Sequence, residues 1–204
     1  MSDLFRRGVD VTAAAIGLVV LAPLFVLVAL LTRIGVGPGV LFRQQRIGRG
    51  GRPFELLKFR TMRPAEPGRS DPAFDAERTT AVGRFLRSSS LDEIPSLVNL
   101  LRGEIALVGP RPLPVWYWDV FRDDEYERFH VRPGITGLAQ VNGRNQVGWD
   151  ARLAYDVEYV RTRTLRGDGA ILRRTVGVVL GRSGVDHGEG ITMVSLVKER
   201  RGSE

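Results

Sequence analysis

The sequence predicts an α/β, membrane-associated fold: a predominantly helical domain with short strands, preceded by a re-entrant helix-break-helix. Three observations predict it. Val11 to Leu31 is a 21-residue run whose only polar side chain is Thr12. A dense basic tract follows that run, and two short strand-like stretches follow within it. Beyond them, apolar residues recur at helical spacing in several separate segments. With 43% hydrophobic and 26% charged residues among 204, composition alone describes an ordinary folded chain, so distribution carries the argument.

A helix over Val11–Leu31 would be about 30 Å long, enough to cross a hydrocarbon core. No small-residue cleavage site ends the run, which argues against a signal peptide. Its uniform apolarity argues against a buried soluble helix. Arg6 and Arg7 lie before it and Arg33 after it, and positive charge at both ends opposes a simple crossing. Pro23, at the midpoint, lacks an amide donor and breaks the helical ladder. A segment that enters, breaks near Ala22–Pro23 and returns to the same face satisfies both facts; a kinked transmembrane helix is the alternative. Asp10 at the entrance reads as a cap or as the partner of a basic group.

Between Arg33 and Arg69 there are nine Lys or Arg and only the acids Glu55 and Glu66, a surplus equal to the formal charge of the whole chain, +7. Such a field attracts nucleic acid, anionic lipid or a phosphorylated substrate. The absence of Cys excludes a disulfide framework and a thiolate metal site, and the two His are too far apart for a ligand motif. After a turn at Gly35–Gly39, Val40–Phe42 and Phe54–Phe59 read as short strands around the Gly48–Gly51 turn. Pro64 to Pro72 reads as a surface loop, either a lid or a plain connection.

Ala81–Ser88 reads as a short helix. In Leu91-Asp92-Glu93-Ile94-Pro95, an N-cap at Asp92 would place Pro95 at the third helical position, where its missing donor matters little. The two carboxylates would then sit at the positive end of that helix. Chemically, Asp92 suits a nucleophile or metal ligand and Glu93 a ligand or base; blandly, both are first-turn chemistry. Gly103 ends the helix. Pro110 and Pro112 restrict the backbone around Arg111, whose guanidinium suits bidentate phosphate contact. Trp116 to His130 carries a mixed helical pattern, and Trp116, Tyr117, Trp118 and Phe121 suit a headgroup interface as well as a core. Arg132 adjoins two glycines, and Gln140, Asn142, Arg144 and Asn145 form a donor-rich cluster suited to phosphate and sugar. Trp149, Leu153, Val157 and Val160 mark a packed helical face, on which Asp150, Asp156 and Glu158 read as solvated or paired. Ile171–Leu180 is a further apolar helix.

Taken together, Lys58-Phe59-Arg60-Thr61-Met62, Leu91-Asp92-Glu93-Ile94-Pro95, Leu101-Arg102-Gly103-Glu104, Leu107-Val108-Gly109-Pro110-Arg111-Pro112, Arg132-Pro133-Gly134-Ile135-Thr136-Gly137 and Gln140-Val141-Asn142-Gly143-Arg144 resemble, in order, the bacterial sugar transferase family. The resemblance, from about Arg6 to Leu180, is to its small monotopic polyprenyl-phosphate phosphoglycosyl transferases. It implies a re-entrant membrane segment over residues 1–34 with Pro23 at its break, a catalytic region over 35–180, and a flexible tail over 181–204. It implies transfer of a sugar 1-phosphate from a UDP-sugar to polyprenyl phosphate, with Asp92 as covalent nucleophile, Glu93 as its acidic partner, and Mg²⁺ held by the two. Lys58, Arg60, Arg111 and Arg144 would contact phosphate, with Arg132, Gln140, Asn142 and Asp168 in support. The expected setting is the bacterial inner membrane, the catalytic region facing the cytoplasm among membrane lipids, with self-association left open. Departures include Leu138 in place of a Trp and the flexible surroundings of Asp168, Gly167 and Gly169. A basic membrane-anchored adaptor for acidic partners or lipid headgroups is the alternative. No recognition helix or repeated aromatic stacking pattern supports nucleic acid as a partner.

Overall fold

The computed structural model describes residues 2–64, 75–142, 147–180 and 196–201. The chain opens with α1 (Ser2–Val20) and α2 (Ala22–Gly35), which meet at 65° around Leu21. Pro23 stands in the first turn of α2, where a missing amide donor is tolerated. Among the described residues no single helix is long and apolar enough to cross a membrane, whereas the bent pair meets that test together. One side of the pair is buried. Ala14 packs with Leu100 and Ile105, and Val28 packs with Phe59, Leu86 and Ile94. The other side leaves Leu4, Ile16, Val19, Val20, Val26, Leu30 and Ile34 exposed.

Strands β1 (Leu41–Ile47) and β2 (Pro53–Phe59) form an antiparallel hairpin, with Leu41 opposite Phe59 and Ile47 opposite Pro53. β1 is longer than the Val40–Phe42 expected, because its Arg and Gln residues alternate across a ribbon instead of being set apart as a basic loop. Phe54 and Leu56 face α1 and α5, and Phe59 faces α2. Burying side chains of this size contributes about 1.5–3 kcal/mol each. The short helix α3 (Asp75–Arg78) and α4 (Ala81–Ser88) follow, and Thr80 caps α4 by accepting from the Gly83 amide at 3.0 Å. Most of the Pro64–Pro72 loop lies outside the described residues.

Helix α5 (Ser96–Arg102) ends at Gly103, whose φ of 82° favours glycine. Its fully buried Asn99 fastens it to β2: Oδ1 accepts from the Leu57 amide at 3.0 Å, and Nδ2 donates to the Glu55 carbonyl at 2.7 Å. Strand β3 (Ala106–Val108) pairs in parallel with β4 (Gly134–Thr136). The backbones around them approach so closely that a Cβ on Gly134 would lie 2.1 Å from the Gly109 nitrogen. The glycines of the Gly109-Pro110-Arg111-Pro112 and Pro133-Gly134 blocks therefore interlock.

The connection from β3 to β4 is two 3₁₀ segments, Val115–Val120 and Asp123–His130, rather than one long helix. Tyr117 and Phe121 are core residues, while Trp116 is exposed. Helices α6 (Leu138–Val141), α7 (Trp149–Thr162) and α8 (Leu165–Leu180) close the domain around Val108, Tyr159 and Ile171. Residues 196–201, expected within a flexible tail, form α9 (Leu196–Arg201). Leu196 is fully buried beside Trp149 and Leu153, and Arg200 bonds Glu125 and Asp150. That tail segment has core-forming capacity because one leucine fills a gap and one arginine meets two acids.

Candidate active site

Asp92 and Glu93 do not cap a helix. Ser90 adopts the left-handed conformation (φ 58°), and Leu91–Glu93 form a 3₁₀ turn of their own. Helix α5 starts after Pro95, where the proline nitrogen costs no hydrogen bond. The expected N-cap at Asp92 is thus displaced by a tighter turn, which the Ser96 hydroxyl braces by donating to the Glu93 carbonyl at 2.6 Å. This turn points both carboxylates toward Lys58 on β2. Lys58 Nζ lies 2.6 Å from Glu93 Oε1 and 3.8 Å from Asp92 Oδ2. Arg111 Nη2 approaches the same Glu93 oxygen at 3.4 Å.

The two acids differ electrostatically. Asp92 is buried, and burial raises its pKa; Lys58 opposes that and the charge of Glu93 adds to it. For Glu93 burial works in the same direction, but Lys58 and then Arg111 overcome it and hold the carboxyl at about 2. Glu93 is therefore the fixed anion and Asp92 the carboxyl whose charge responds to its surroundings. Among the described residues Asp92 accepts no hydrogen bond, and of the pair's four oxygens only Glu93 Oε1 has hydrogen-bond donors. Two adjacent carboxylates with spare oxygens fit a hard divalent cation that completes its shell with water and phosphate. Among the described residues no group of three or more acidic, His or Cys side chains forms a fuller metal cage.

Arg111 is positioned by its backbone. Arg128 Nη2 donates to the Arg111 carbonyl at 2.7 Å and to Asp156 Oδ2 at 2.7 Å, both side chains being deeply buried. Asp156, expected to be paired, is so, although burial still raises its pKa more than Arg128 lowers it. Two further guanidinium groups crowd Arg111. Arg152 on α7 is held below the usual arginine range by burial and then by Arg111. Arg46 on β1 is pushed down to about 10 by the same two causes.

The other expected site residues divide. Arg60 turns away and donates to the Pro38 carbonyl at 2.8 Å. Asp168 accepts from Arg6 Nε at 2.7 Å and from the Tyr159 hydroxyl at 2.9 Å, tying α8 to α1 and α7. Arg132 acts electrostatically on Asp10, whose Oδ1 accepts from the Leu107 amide at 3.0 Å. Asn142 accepts from Arg174 at 2.6 Å. Both amide atoms of Gln140 are buried without a hydrogen-bond partner. Arg144 lies outside the described residues. Arg46, Asn99, Arg128 and Arg152 were not singled out by sequence; the only signal for Arg46 was its place in the basic tract. A cleft of about 480 Å³ between Asp123–His130 and α7 includes none of these sequence-expected site residues.

Comparison with known proteins bears on the same region. A family model described as Bacterial sugar transferase matches residues 1–182. The chain is 38% identical over 189 residues to the uncharacterized sugar transferase EpsL of Bacillus subtilis, covering 93% of this chain and 94% of the relative. It is 43% identical over 189 residues to the UDP-glucose:undecaprenyl-phosphate glucose-1-phosphate transferase of Caulobacter vibrioides, covering 87% and 70%. With the undecaprenyl-phosphate galactose phosphotransferase of Salmonella typhimurium identity is 40% over 201 residues, covering 90% of this chain and 42% of that protein.

Proposed function

The chain belongs to the bacterial sugar transferase family, and from that premise we propose that it is a phosphoglycosyl transferase moving a sugar 1-phosphate from a UDP-sugar to polyprenyl phosphate. The observation that carries the reading is the state of Asp92. It is a buried carboxyl without hydrogen bonds among the described residues, 3.8 Å from Lys58 and beside a glutamate held ionised. A carboxylate that is poorly solvated is a stronger nucleophile than one tied up in hydrogen bonds.

An Asp92 oxygen attacks the sugar-proximal phosphorus, and the bond from that phosphorus to the bridging oxygen breaks, releasing UMP. The product is an aspartyl phosphosugar. A phosphate oxygen of the polyprenyl phosphate then attacks the same phosphorus, the bond to Asp92 breaks, and the carboxylate is regenerated. Two steps let a polar donor and a lipid acceptor use one carboxylate in turn. Lys58 and Arg111 lower the electrostatic cost of bringing a diphosphate toward two acids. Asp92 and Glu93 would hold Mg²⁺, which when bound offsets diphosphate charge and stabilises the leaving uridylate.

The exposed apolar side of α1 and α2 supports a helix pair seated in one leaflet of the inner membrane, with the 65° bend at Leu21–Pro23 returning the chain to the cytoplasmic side. A helix pair seated in this way would bring the basic face to where a soluble donor and an anionic lipid both arrive.

The test uses the purified chain in detergent with candidate UDP-sugars and no acceptor. UMP released in an amount near that of the enzyme, with a matching covalent mass increase, is the expected result. Asp92→Asn should abolish the adduct while leaving membrane association intact, and chelation of divalent cations should stop UMP release. A normal yield of adduct in the Asn variant would remove Asp92 from the nucleophile's role; full turnover after chelation would exclude Mg²⁺.

A further inference from the structure

The hairpin register places Phe42, Gln44 and Arg46 opposite Lys58, Leu56 and Phe54, so Gln44 and Arg46 share a face of the ribbon with Lys58. Arg46 is half-buried and held from two sides. Nη2 donates to Gln44 Oε1 at 2.5 Å, and Nη1 donates to the Pro112 carbonyl at 3.3 Å. Two of a guanidinium's five N–H donors are thereby used. Among the described residues the remaining three have no protein partner, and Nε is buried.

The more unusual feature is charge. Arg6, Arg78, Arg128 and Arg200 are also shielded from solvent, and each has a carboxylate within 2.8 Å. Among the described residues Arg46 has no carboxylate within ion-pair distance, and a second guanidinium, Arg111, stands near enough to oppose its charge. The one acid acting on it, Glu93, is engaged by Lys58 and Arg111. A guanidinium buried among cations with donors to spare is costly unless an anion arrives to meet it.

We propose that Arg46, aimed by Gln44 and the Pro112 carbonyl, is a substrate-binding residue that contacts the diphosphate of the donor. The inference rests on the phosphoglycosyl transferase reading and adds a residue to it. Phosphate could come from the nucleotide donor or the lipid acceptor, and the strand's direction favours the donor. Leu41, where β1 starts, packs with α2, while Ile47, where it ends, packs with Leu113 and Tyr117. Arg46 lies five residues beyond that start, about 17 Å along the ribbon from the contact with α2. Planar, bidentate recognition of phosphate is what a pre-oriented guanidinium supplies and a lysine does not.

The test measures binding of UDP, which carries the diphosphate without a sugar, to the full chain in detergent, alongside the acceptor KM for undecaprenyl phosphate. Arg46→Gln should weaken UDP binding tenfold or more and leave the acceptor KM within about twofold. Arg46→Lys should recover only part of the loss. Equal UDP affinity in a folded Arg46→Gln variant overturns the contact, and a rise confined to the acceptor KM overturns its assignment to the donor. Should Arg46→Gln not fold, Gln44→Ala keeps the charge but frees one side of it. A loss of UDP affinity of about threefold is then expected, and no change overturns the proposal. An unaltered chain that fails to bind UDP at all sinks the transferase reading together with this one.

Discussion

Replacing Lys58 with Met separates two roles that a lysine beside a pair of acids can play. One is to contact substrate phosphate. The other is to set the charge of Asp92. Lys58 Nζ stands 3.8 Å from Asp92 Oδ2 and 2.6 Å from Glu93 Oε1. At an effective dielectric constant of about 20, unit charges at these separations interact by about 4 and about 6 kcal/mol. Partial solvent access and the desolvation of the lysine itself reduce such figures by roughly half. After Lys58→Met, Glu93 still has Arg111 at 3.4 Å, whereas Asp92 loses its leading cationic partner. The Asp92 carboxylate should therefore lose about 2 kcal/mol of stabilisation.

The sign follows from linkage. Burial already raises the Asp92 pKa and Lys58 opposes that rise, so removing Lys58 moves the pKa further up. In the proposed mechanism the attacking form is the anion, so the acid limb of the UMP-release profile should move to higher pH. A loss of 2 kcal/mol is about thirtyfold in the ionised fraction on the acid side of that limb. The assay is single-turnover UMP release against pH without acceptor, with thermal melts to confirm folding. Lys58→Arg should restore the limb toward its original position. A profile that falls uniformly in Lys58→Met, with its acid limb unmoved, would refute control of Asp92 and leave phosphate contact as the lysine's role.

Two predictions concern stability, and both use denaturant midpoints. Arg128→Met strands the buried Asp156 and should destabilise by about 3–5 kcal/mol, with UMP release falling because Arg128 also holds the Arg111 carbonyl. Arg128→Met combined with Asp156→Leu should recover much of the stability; no recovery would argue against the buried pair as the cause. Glu93, depressed from 4.5 to about 2, contributes stability that is present above about pH 4.5 and lost as pH falls toward 2. Glu93→Gln should lack that part of the acid decline, and an unchanged slope across the window would contradict it.

Local signals sufficed for much of the fold. The 81–88 helix and the 54–59 strand appear where the sequence reading put them, because each is decided within a few residues. Proline and charge placement indicated a break in the N-terminal run, and the helices bend there by 65°. What local reasoning missed was decided by distant partners. Residues 115–130 form two 3₁₀ segments whose Tyr117, Phe121 and Phe129 share one core with Trp149 and Leu153, a tertiary arrangement that the local pattern does not specify. The Asp92 turn was read as a cap because that put Pro95 at the third helical position, whereas Pro95 itself stands just before α5 and the acids form a separate 3₁₀ turn.

The same distinction explains the site. Asp92, Glu93 and Arg111 stood out because each lies in a short motif, but the residues alone left the acid pair open between first-turn chemistry and catalysis, and only the family resemblance gave it a role. Arg46 and Arg152 are ordinary in their own neighbourhoods, and only packing gives them meaning. A two-residue period along β1 puts Arg46 on the Lys58 face, and that face is defined by pairing with β2, not by anything within β1. Asn99 is similarly silent in sequence, yet its amide fixes the distance between the strand carrying Lys58 and the helix following the acids. Charge supplies the remaining link. Lys58, Arg46 and Arg111 converge from a hairpin and a proline-braced loop, with Arg152 close to Arg111 from α7. Glu93 is engaged by Lys58 and Arg111, and Asp156 acts on Arg111 and Arg152. On the proposed reading, two guanidinium groups, Arg46 and Arg111, that oppose each other beside the acid pair are a poor arrangement for the empty protein and a good one for a protein that receives a diphosphate. The incoming anion relieves the repulsion among the arginines and meets the donors that Arg46 leaves unused.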